Sequence, residues 1–346
     1  MPVKSRKKTI LKWVLISAAV VLAIAVGVGI WVYRCAYMEY DSATSTTLII
    51  KQGASKSEIE KELVEQLGEY GATIYRVWTW RGGEEGKAPG VYVIKKGDKV
   101  WSVASRMIAG RSSTVDVTFN NVRILTDLAD KISKNFIWES EDFIDACENI
   151  LPAKGFAPDE FPAAFLPDPY QFYASATPAE VIERLLEYRN AFWNSERRGK
   201  AELLGLTPVE VTTLASIVEE ESNNRIEQPD IARLYLNRLG KGMKLQADPT
   251  VKFALGDFSI RRLSKTQTEI ASPFNTYYVK GLPPGPIRIP DGTTIDIVLD
   301  CPVNDYLYMC AKPDGSGTHN FASNYSDHLQ NAAEYHKWLD SRNINL

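Results

Sequence analysis

The segment Leu214–Val251, LASIVEEESNNRIEQPDIARLYLNRLGKGMKLQADPTV, places three consecutive glutamates at the end of an apolar helical pattern. A second helical pattern and a polar turn follow them. Upstream, Thr207 can cap the first helix, Pro208 suits its first helical position, and Glu210 lies three residues after the cap. We therefore predict a helix that begins after Thr207 and ends at the glutamates.

One of the three glutamates continues the apolar face of this helix. The spacing i, i+3, i+4 and i+7 puts on one face Leu214, Ile217, Val218 and Glu221. Glu219 and Glu220 point to other faces, and a run of charges is usually solvated. A carboxyl group on a face that packs into the core loses hydration, which raises its pKa and retains a proton near neutral pH. Glu221 is therefore the candidate general acid.

A series of short motifs extends from this helix towards the carboxyl terminus. They are Ile217–Glu221, Asn237–Leu239, Gly242-Met243, Leu245-Gln246, Asp248–Val251, Pro273–Tyr277, Gly281–Ile287, and His319 with Phe321. In these residues and in their order, the chain resembles the endolytic murein transglycosylases, the MltG (YceG-like) family. In that family the last glutamate of the acidic cluster is catalytic, and it corresponds to Glu221. Two positions depart from the family pattern: Ala247 stands where Ser or Thr is usual, and Pro162-Ala163 replaces a usual Glu-Gly.

The resemblance implies an endolytic lytic transglycosylase, a lyase that cleaves the MurNAc–GlcNAc bond within peptidoglycan strands. One glutamate protonates the leaving oxygen and then takes a proton from the carbon-6 hydroxyl, which leaves a 1,6-anhydro-MurNAc end. Two other hypotheses remain open: a muramidase-type glycoside hydrolase, and a non-catalytic peptidoglycan-binding scaffold of the cell-wall synthesis machinery. Glu221 on the apolar face argues against the scaffold, and the product masses of the two enzymes differ by one water.

Several polar residues are candidates for substrate binding. Gln246, Asn275 and Tyr277 offer neutral donors and acceptors that suit sugar hydroxyl and N-acetyl groups, so we predict that they contact the glycan. His319 is expected to be a substrate contact or a hydrogen-bonded structural residue. The spacing of the three histidines does not suit zinc, and we predict neither a metal nor a cofactor.

Other positions near these motifs favour structural roles. Arg238 is predicted to be an internal salt-bridge partner, and Asp248-Pro249 to form a turn. The segment Phe165–Tyr170 is predicted to be a rigid loop packed on the core, with the wall of a glycan groove as the alternative. In Gly281–Pro286 the prolines fix the backbone, and the glycines would permit close approach of a ligand.

The amino-terminal part predicts a membrane anchor. Trp13 to Tyr33 is a run of 21 residues without charge, enough to cross about 30 Å of hydrocarbon. Five basic residues precede the run and Arg34 follows it, so the amino terminus is expected to be cytoplasmic and the bulk of the chain periplasmic. A cleaved signal peptide is less favoured, because its apolar region is shorter and Ile30–Tyr33 makes a poor cleavage site.

The predicted fold class is α+β, with an N-terminal transmembrane helix, a small LysM-like α+β module and a mixed α/β catalytic domain. The predicted boundaries are a cytoplasmic tail at 1–12, the transmembrane helix at 13–33, the LysM-like module at 34–135, a helical connecting region at 136–205, and the catalytic transglycosylase domain at 206–346. In the module, the pattern predicts strands at 47–50, 91–94 and 115–119, each followed by a helix. Its LysM character is a resemblance, and a spacer between membrane and catalytic domain is an equal alternative.

Composition adds further expectations about partners. The 346 residues carry a net charge of −3, which predicts no nucleic-acid partner. The expected partners are peptidoglycan glycan strands, the membrane through the N-terminal helix, and, from the resemblance, penicillin-binding glycan polymerases. Four cysteines are too few for a disulfide framework, and Cys301 and Cys310 are either a pair across a turn or two buried thiols.

Overall fold

The computed structural model describes residues 3–51, 53–86, 88–260 and 262–342, without the side chains of residues 3–10. The chain divides into two compact units, the first made of Met1–Val115 with Phe172–Ser175 and the second of Asp116–Gln171 with Ala176–Leu346. Residues 1–2 and 343–346, at the ends of the predicted cytoplasmic tail and catalytic domain, lie outside the described residues, as do the side chains of the basic residues before Leu11.

The chain begins with the long helix α1 (Val3–Ala36). Its segment Leu11–Ala36 is 26 residues long, has a mean hydropathy of 2.6, and buries none of its most apolar window inside the protein. The predicted membrane span at 13–33 lies within this segment, and such a helix fits a single-pass transmembrane anchor.

The rest of the first unit alternates strands and helices: β1 (Thr46–Ile50), α2 (Lys56–Trp80), β2 (Gly90–Ile94) and α3 (Val100–Ile108). β1 pairs antiparallel with β2, from Thr46 opposite Ile94 to Ile50 opposite Gly90. Both strands were expected from their apolar patterns, and these predictions are confirmed. The core of this unit includes Leu63, Ile74, Trp78, Tyr92 and Val103.

The second unit is mainly helical. Its helices are α4 (Leu125–Ser133), α5 (Ser140–Ile150), α6 (Pro178–Phe192), α7 (Ser195–Leu203), α8 (Pro208–Glu221), α9 (Gln228–Gly240), α10 (Asp248–Leu255), α11 (Lys265–Thr268), α12 (Gly292–Leu299) and α13 (Tyr325–Ser341). Within it, strand β5 (Tyr308–Ala311) pairs antiparallel with β6 (His319–Ala322). Strand β3 (Thr114–Val117) pairs with β4 (Tyr170–Tyr173), and each of these two strands has residues in both units. The strand predicted at 115–119 is observed at 114–117, so it begins one residue earlier than predicted and is one residue shorter.

The boundary between the compact units differs from the predicted domain boundary at residue 135. Residues 116–135 belong to the second unit, because α4 packs against α5 and Arg123 forms an ion pair with Glu220 of α8. The predicted connecting region at 136–205 is part of the same unit, since α7 packs against α8 and α12. The boundary depends on contacts between side chains that are distant in sequence, and the local pattern of strands and helices does not predict such contacts.

Helix α8 lies at the centre of the second unit. The cap is formed as predicted, with the Glu210 N–H donating to Thr207 Oγ1 at 3.2 Å and the Thr207 N–H donating to Glu210 Oε2 at 2.7 Å. Every residue from Val211 to Glu219 is buried, because α9, α10 and α12 all pack against this helix. The buried surface of α8 is therefore much wider than the single apolar face that the sequence predicts.

Candidate active site

Glu221 is the last residue of α8, and its carboxylate meets a tyrosine from α9. The hydroxyl of Tyr235 donates a hydrogen bond of 2.6 Å to Glu221 Oε1. The ring of Tyr235 is 1% exposed and belongs to the main apolar core, so the position of its hydroxyl is fixed by packing. One carboxylate oxygen of Glu221 is thereby held in place.

The environment of Glu221 favours the protonated form. The pKa of this carboxyl is raised to about 7, mainly by burial and to a smaller extent by the negative charge of Asp248. The hydrogen bond from Tyr235 opposes this change, as do the positive charges of Lys252 and Arg238. Since loss of hydration is the largest cause, Glu221 is a carboxyl group that can both hold and release a proton near neutral pH.

Glu219 and Glu220 point away from Glu221, as predicted, but the expectation that they are solvated is wrong. Their side chains are only 10% and 16% exposed, and both pair with Arg288, at 3.0 Å and 2.9 Å. Glu220 also accepts two hydrogen bonds from Arg123, at 3.2 Å and 3.1 Å. Arginine neutralises these two carboxylates, whereas the hydrogen-bond donor to Glu221 is an uncharged tyrosine. This difference separates the candidate acid from its neighbours.

A second pair of polar groups lies within electrostatic reach of Glu221. Asp248 is the first residue of α10, and its Oδ1 accepts a hydrogen bond of 2.6 Å from the hydroxyl of Tyr277. Burial, the bond to Asp248 and the charge of Glu221 together raise the pKa of Tyr277 well above its usual range. The structure thus brings the predicted substrate residue Tyr277 to the candidate acid. Asp248-Pro249 starts a helix, so the prediction of a turn there is wrong.

The two predicted amide contacts, Gln246 and Asn275, lie in different surroundings. Gln246 is exposed and adopts a left-handed conformation with φ of 51°, held by a bond of 3.1 Å from its N–H to the carbonyl of Thr276. Asn275 is 0% exposed. Its amide donates to the carbonyls of Thr268 and Ile270 and accepts from the N–H of Tyr277. Gln246 is therefore available to a ligand, whereas the side chain of Asn275 is occupied in holding its loop.

His319 is tied to the segment that follows Glu221. Its backbone N–H donates to Glu227 Oε2 at 2.8 Å, and its Nδ1 lies 3.2 Å from Glu227 Oε1. The hydroxyl of Ser222 donates to the same Oε1 at 2.6 Å. Glu227 thus links His319, the first residue of β6, to Ser222, the residue that follows Glu221. The predicted substrate contact His319 is therefore connected to the end of α8 by hydrogen bonds through one side chain.

Three other predicted features of this unit have structural roles: Arg238, the segment Phe165–Tyr170 and the glycine-rich segment that contains Gly285. Arg238 donates to the backbone carbonyls of Leu307 and Leu245 and forms no ion pair with any residue that the structure describes, so the prediction of an internal salt bridge is wrong. Within Phe165–Tyr170 the two aromatic rings at the ends are 0% and 2% exposed, which agrees with a packed loop. A side chain on Gly285 would collide with the carbonyl of Asp159, so the close approach at this glycine is to backbone.

Two contributors to the site, Tyr235 and Arg288, are absent from the residues that the sequence predicts for it. Tyr235 lies on the buried face of α9, and a buried tyrosine hydroxyl usually needs a partner; that was the available signal. Arg288 lies 68 positions from Glu220, in a segment without regular structure. Its role had no local sequence signal. Cys301 and Cys310 are both free thiols.

Residues 48–334 match the YceG-like family. The endolytic murein transglycosylase of Bacillus subtilis (strain 168) is 28% identical over 335 residues, which cover 88% of each chain. The endolytic murein transglycosylase of Streptococcus pneumoniae R6 is 30% identical over 176 residues, covering 49% of this chain and 31% of that protein. A crystal structure of a YceG-like protein from Listeria monocytogenes shares the fold, with a TM-score of 0.52, 21% identity, and coverage of 84% of this chain and 99% of that chain.

Proposed function

Because the chain belongs to the YceG-like family, we propose that it is an endolytic murein transglycosylase, a lyase that cleaves glycan strands of peptidoglycan. The proposal rests on one observation: Glu221, at the end of helix α8, has a pKa of about 7, raised mainly by burial. A group that must give and then recover a proton works best when its pKa lies near the working pH.

In the proposed reaction Glu221 is first an acid and then a base. Its proton passes to the glycosidic oxygen as the bond from that oxygen to carbon 1 of MurNAc breaks. The carboxylate then removes the proton of the carbon-6 hydroxyl, and the oxygen of that hydroxyl bonds to carbon 1. The product is a 1,6-anhydro-MurNAc end, no water is consumed, and Glu221 regains its proton.

Tyr235 is a positioning residue in this scheme. Its hydroxyl donates to Glu221 Oε1, which leaves Oε2 to carry the transferred proton. The hydrogen bond also stabilises the carboxylate form, and it therefore limits how far burial raises the pKa of Glu221. A buried ring that fixes one oxygen directs the other towards the substrate without taking part in bond cleavage.

We propose Gln246, Tyr277 and His319 as substrate contacts. Gln246 is exposed beside α10, Tyr277 lies in the field of Glu221, and His319 is bonded through Glu227 to the residue after Glu221. The first two carry neutral polar groups that suit sugar hydroxyl and N-acetyl groups. Asn275, which has no exposed surface, supports the loop that presents Tyr277.

Asp248 favours glycoside hydrolysis as a second candidate function. A hydrolase needs a second carboxylate to activate water or to attack carbon 1, and Asp248 is close enough to raise the pKa of Glu221. The hydroxyl of Tyr277 occupies one oxygen of Asp248. Under the first proposal Asp248 acts only through its charge, so Asp248→Asn should leave the product unchanged.

We also propose that α1 anchors the chain in the cytoplasmic membrane, with its amino terminus in the cytoplasm and the second unit on the periplasmic side. The long apolar segment of α1 supports the anchor, and the basic residues before Leu11 support the orientation. An enzyme held there would cut strands as neighbouring penicillin-binding glycan polymerases extend them, and it would so end their elongation.

The test is product analysis with purified glycan strands. The parent should release fragments with anhydro ends, and Glu221→Gln should lose about 10²–10⁴-fold in rate, the usual contribution of general acid–base catalysis. Glu220→Gln is the matched control, because its amide oxygen can still accept from Arg288 and Arg123. Hydrated reducing ends from the parent would establish the hydrolase instead, and parental rates in Glu221→Gln would remove the assignment of the acid.

A further inference from the structure

The end of α1 that joins the first unit is bordered by a cavity of about 260 Å³. Residues that line it include Trp31, Val32 and Cys35 of α1, and Thr73, Arg76 and Trp80 of α2. Trp31 and Val32 lie inside the apolar segment Leu11–Ala36. The carboxyl end of α2 therefore reaches the level of the segment that is proposed to cross the membrane.

Aromatic and basic side chains surround this junction. We use the name juxtamembrane face for Tyr37, Arg76, Trp80, Arg81, Lys99 and Trp101. The rings are unusually exposed for their size, 69% for Trp80, 50% for Tyr37 and 40% for Trp101. A soluble domain normally buries most of a tryptophan. These rings therefore present apolar surface to whatever borders the end of α1.

Positive charges are held directly over two of these rings. The guanidinium of Arg81 lies 3.9 Å from the centre of the Trp101 ring, and Lys99 Nζ lies 5.5 Å from the centre of the Tyr37 ring. Lys99 also lies 3.8 Å from a carboxylate oxygen of Glu39. Tryptophan and tyrosine combined with arginine and lysine are typical of protein surfaces at the boundary between lipid headgroups and acyl chains.

We propose that the juxtamembrane face lies in the headgroup layer of the outer leaflet and binds anionic phospholipid. Trp80 and Trp101 contact the upper acyl chains, while Arg76 and Arg81 contact lipid phosphates. The proposal requires that α1 spans the membrane, and it adds a second lipid contact to that anchor. The first unit is then a platform against the membrane surface rather than a tethered spacer.

The same unit offers a control surface. Ile49 and Val64 are also exposed apolar residues, at 38% and 41%, but Ile49 lines a cavity with Glu58, Glu62 and Glu65. These carboxylates would be repelled by anionic lipid. An apolar side chain alone therefore does not define the juxtamembrane face, and modification at Val64 measures non-specific labelling.

The experiment places the full chain in nanodiscs that contain a photoactivatable phosphatidylcholine with its reactive carbon at the top of the acyl chain. Adducts are located by peptide mass spectrometry, in discs of phosphatidylcholine alone or with phosphatidylglycerol. We expect adducts near Trp80 and Trp101 as well as within Leu11–Ala36, and none near Val64. Phosphatidylglycerol should increase the first two by about fivefold, the factor that one basic residue contributes near an anionic surface.

A variant separates direct contact from mere proximity. Trp80→Glu should lower labelling around both Trp80 and Trp101, since a carboxylate would lift this part of the face from the lipid. Val64→Glu should leave labelling unchanged. Adducts confined to Leu11–Ala36, or equal labelling at Val64 and Trp80, would overturn the proposal. Absence of adducts from Leu11–Ala36 would overturn it together with the anchor, while murein cleavage, measured separately, would still test the enzymatic proposal.

Discussion

At the scale of single residues, the pKa of Glu221 predicts how the rate of glycan cleavage depends on pH. The free enzyme needs Glu221 protonated, and burial raises its pKa to about 7. We therefore expect kcat/KM for glycan cleavage to fall as pH rises through about 7. Tyr235→Phe removes a hydrogen bond that lowers this pKa, so the fall should move to higher pH.

The opposite displacement provides the control for that profile. The negative charge of Asp248 raises the pKa of Glu221, so Asp248→Asn should move the fall in kcat/KM to lower pH. A merely structural effect of either substitution would lower the rate at every pH and would not displace the profile. If the two profiles coincide with that of the parent, another group controls the rate.

A second prediction separates the two amides that the sequence treats alike. Asn275→Ala removes a buried amide that is the hydrogen-bond partner of two backbone carbonyls and of the Tyr277 N–H. Loss of such a buried group should lower the free energy of unfolding by about 1–3 kcal/mol. Gln246→Gly removes an exposed side chain at a φ of 51°, where glycine is unstrained.

Thermal unfolding and cleavage assays distinguish these outcomes. We expect Asn275→Ala to lower the Tm more than it lowers activity per folded molecule, and Gln246→Gly to lower activity with little change in Tm. Equal activity of folded Gln246→Gly and parent would show that the glycan does not contact Gln246. The sequence could not separate the two positions, because both are amides with the same hydrogen-bonding groups and their burial depends on tertiary packing.

At the scale of helices, local sequence predicted the start of α8 but not what holds its end. The cap joins Thr207 and Glu210, which are only three residues apart, so the local sequence was enough to predict it. The pairing of Glu219 and Glu220 with Arg288 joins residues nearly seventy positions apart, and no periodicity reports it. The i, i+3, i+4, i+7 spacing correctly singles out Glu221 among the three glutamates as the one with a raised pKa, although α8 is buried on almost every side.

Arg288 should therefore contribute much more to stability than an exposed arginine nearby. Its side chain is 9% exposed, and its removal leaves the buried carboxylate of Glu219 without its cation, while Glu220 keeps its pair with Arg123. We expect Arg288→Ala to lower the free energy of unfolding by about 3–5 kcal/mol. Arg225→Ala is the control, because its pair with Asp291 is 57% and 43% exposed and should contribute about 0–1 kcal/mol. Chemical denaturation of both variants measures the difference, and equal losses would show that the Arg288 pairs are not what holds α8.

At the scale of the whole molecule, the fold class and the anchor helix were predictable, whereas the division into units was not. Twenty-one uncharged residues form a signal that needs no tertiary context. The assignment of residues 116–135 depends instead on α4 packing against α5 and on the bond from Arg123 to Glu220. Such contacts exist only once the second unit has folded.

The anchor gives the last prediction. Transfer of the apolar segment Leu11–Ala36 out of lipid would expose it to water along its whole length, since the protein does not cover it. The full chain should therefore remain with membranes after washing with high salt and then at alkaline pH. A chain that lacks residues 1–35 retains only the juxtamembrane face, whose contacts with lipid are partly ionic, so high salt should release it. Fractionation followed by immunoblotting measures both. If expression of the full-length gene yields a soluble chain in the outer fraction that has been cleaved near residue 33, the segment is a signal peptide.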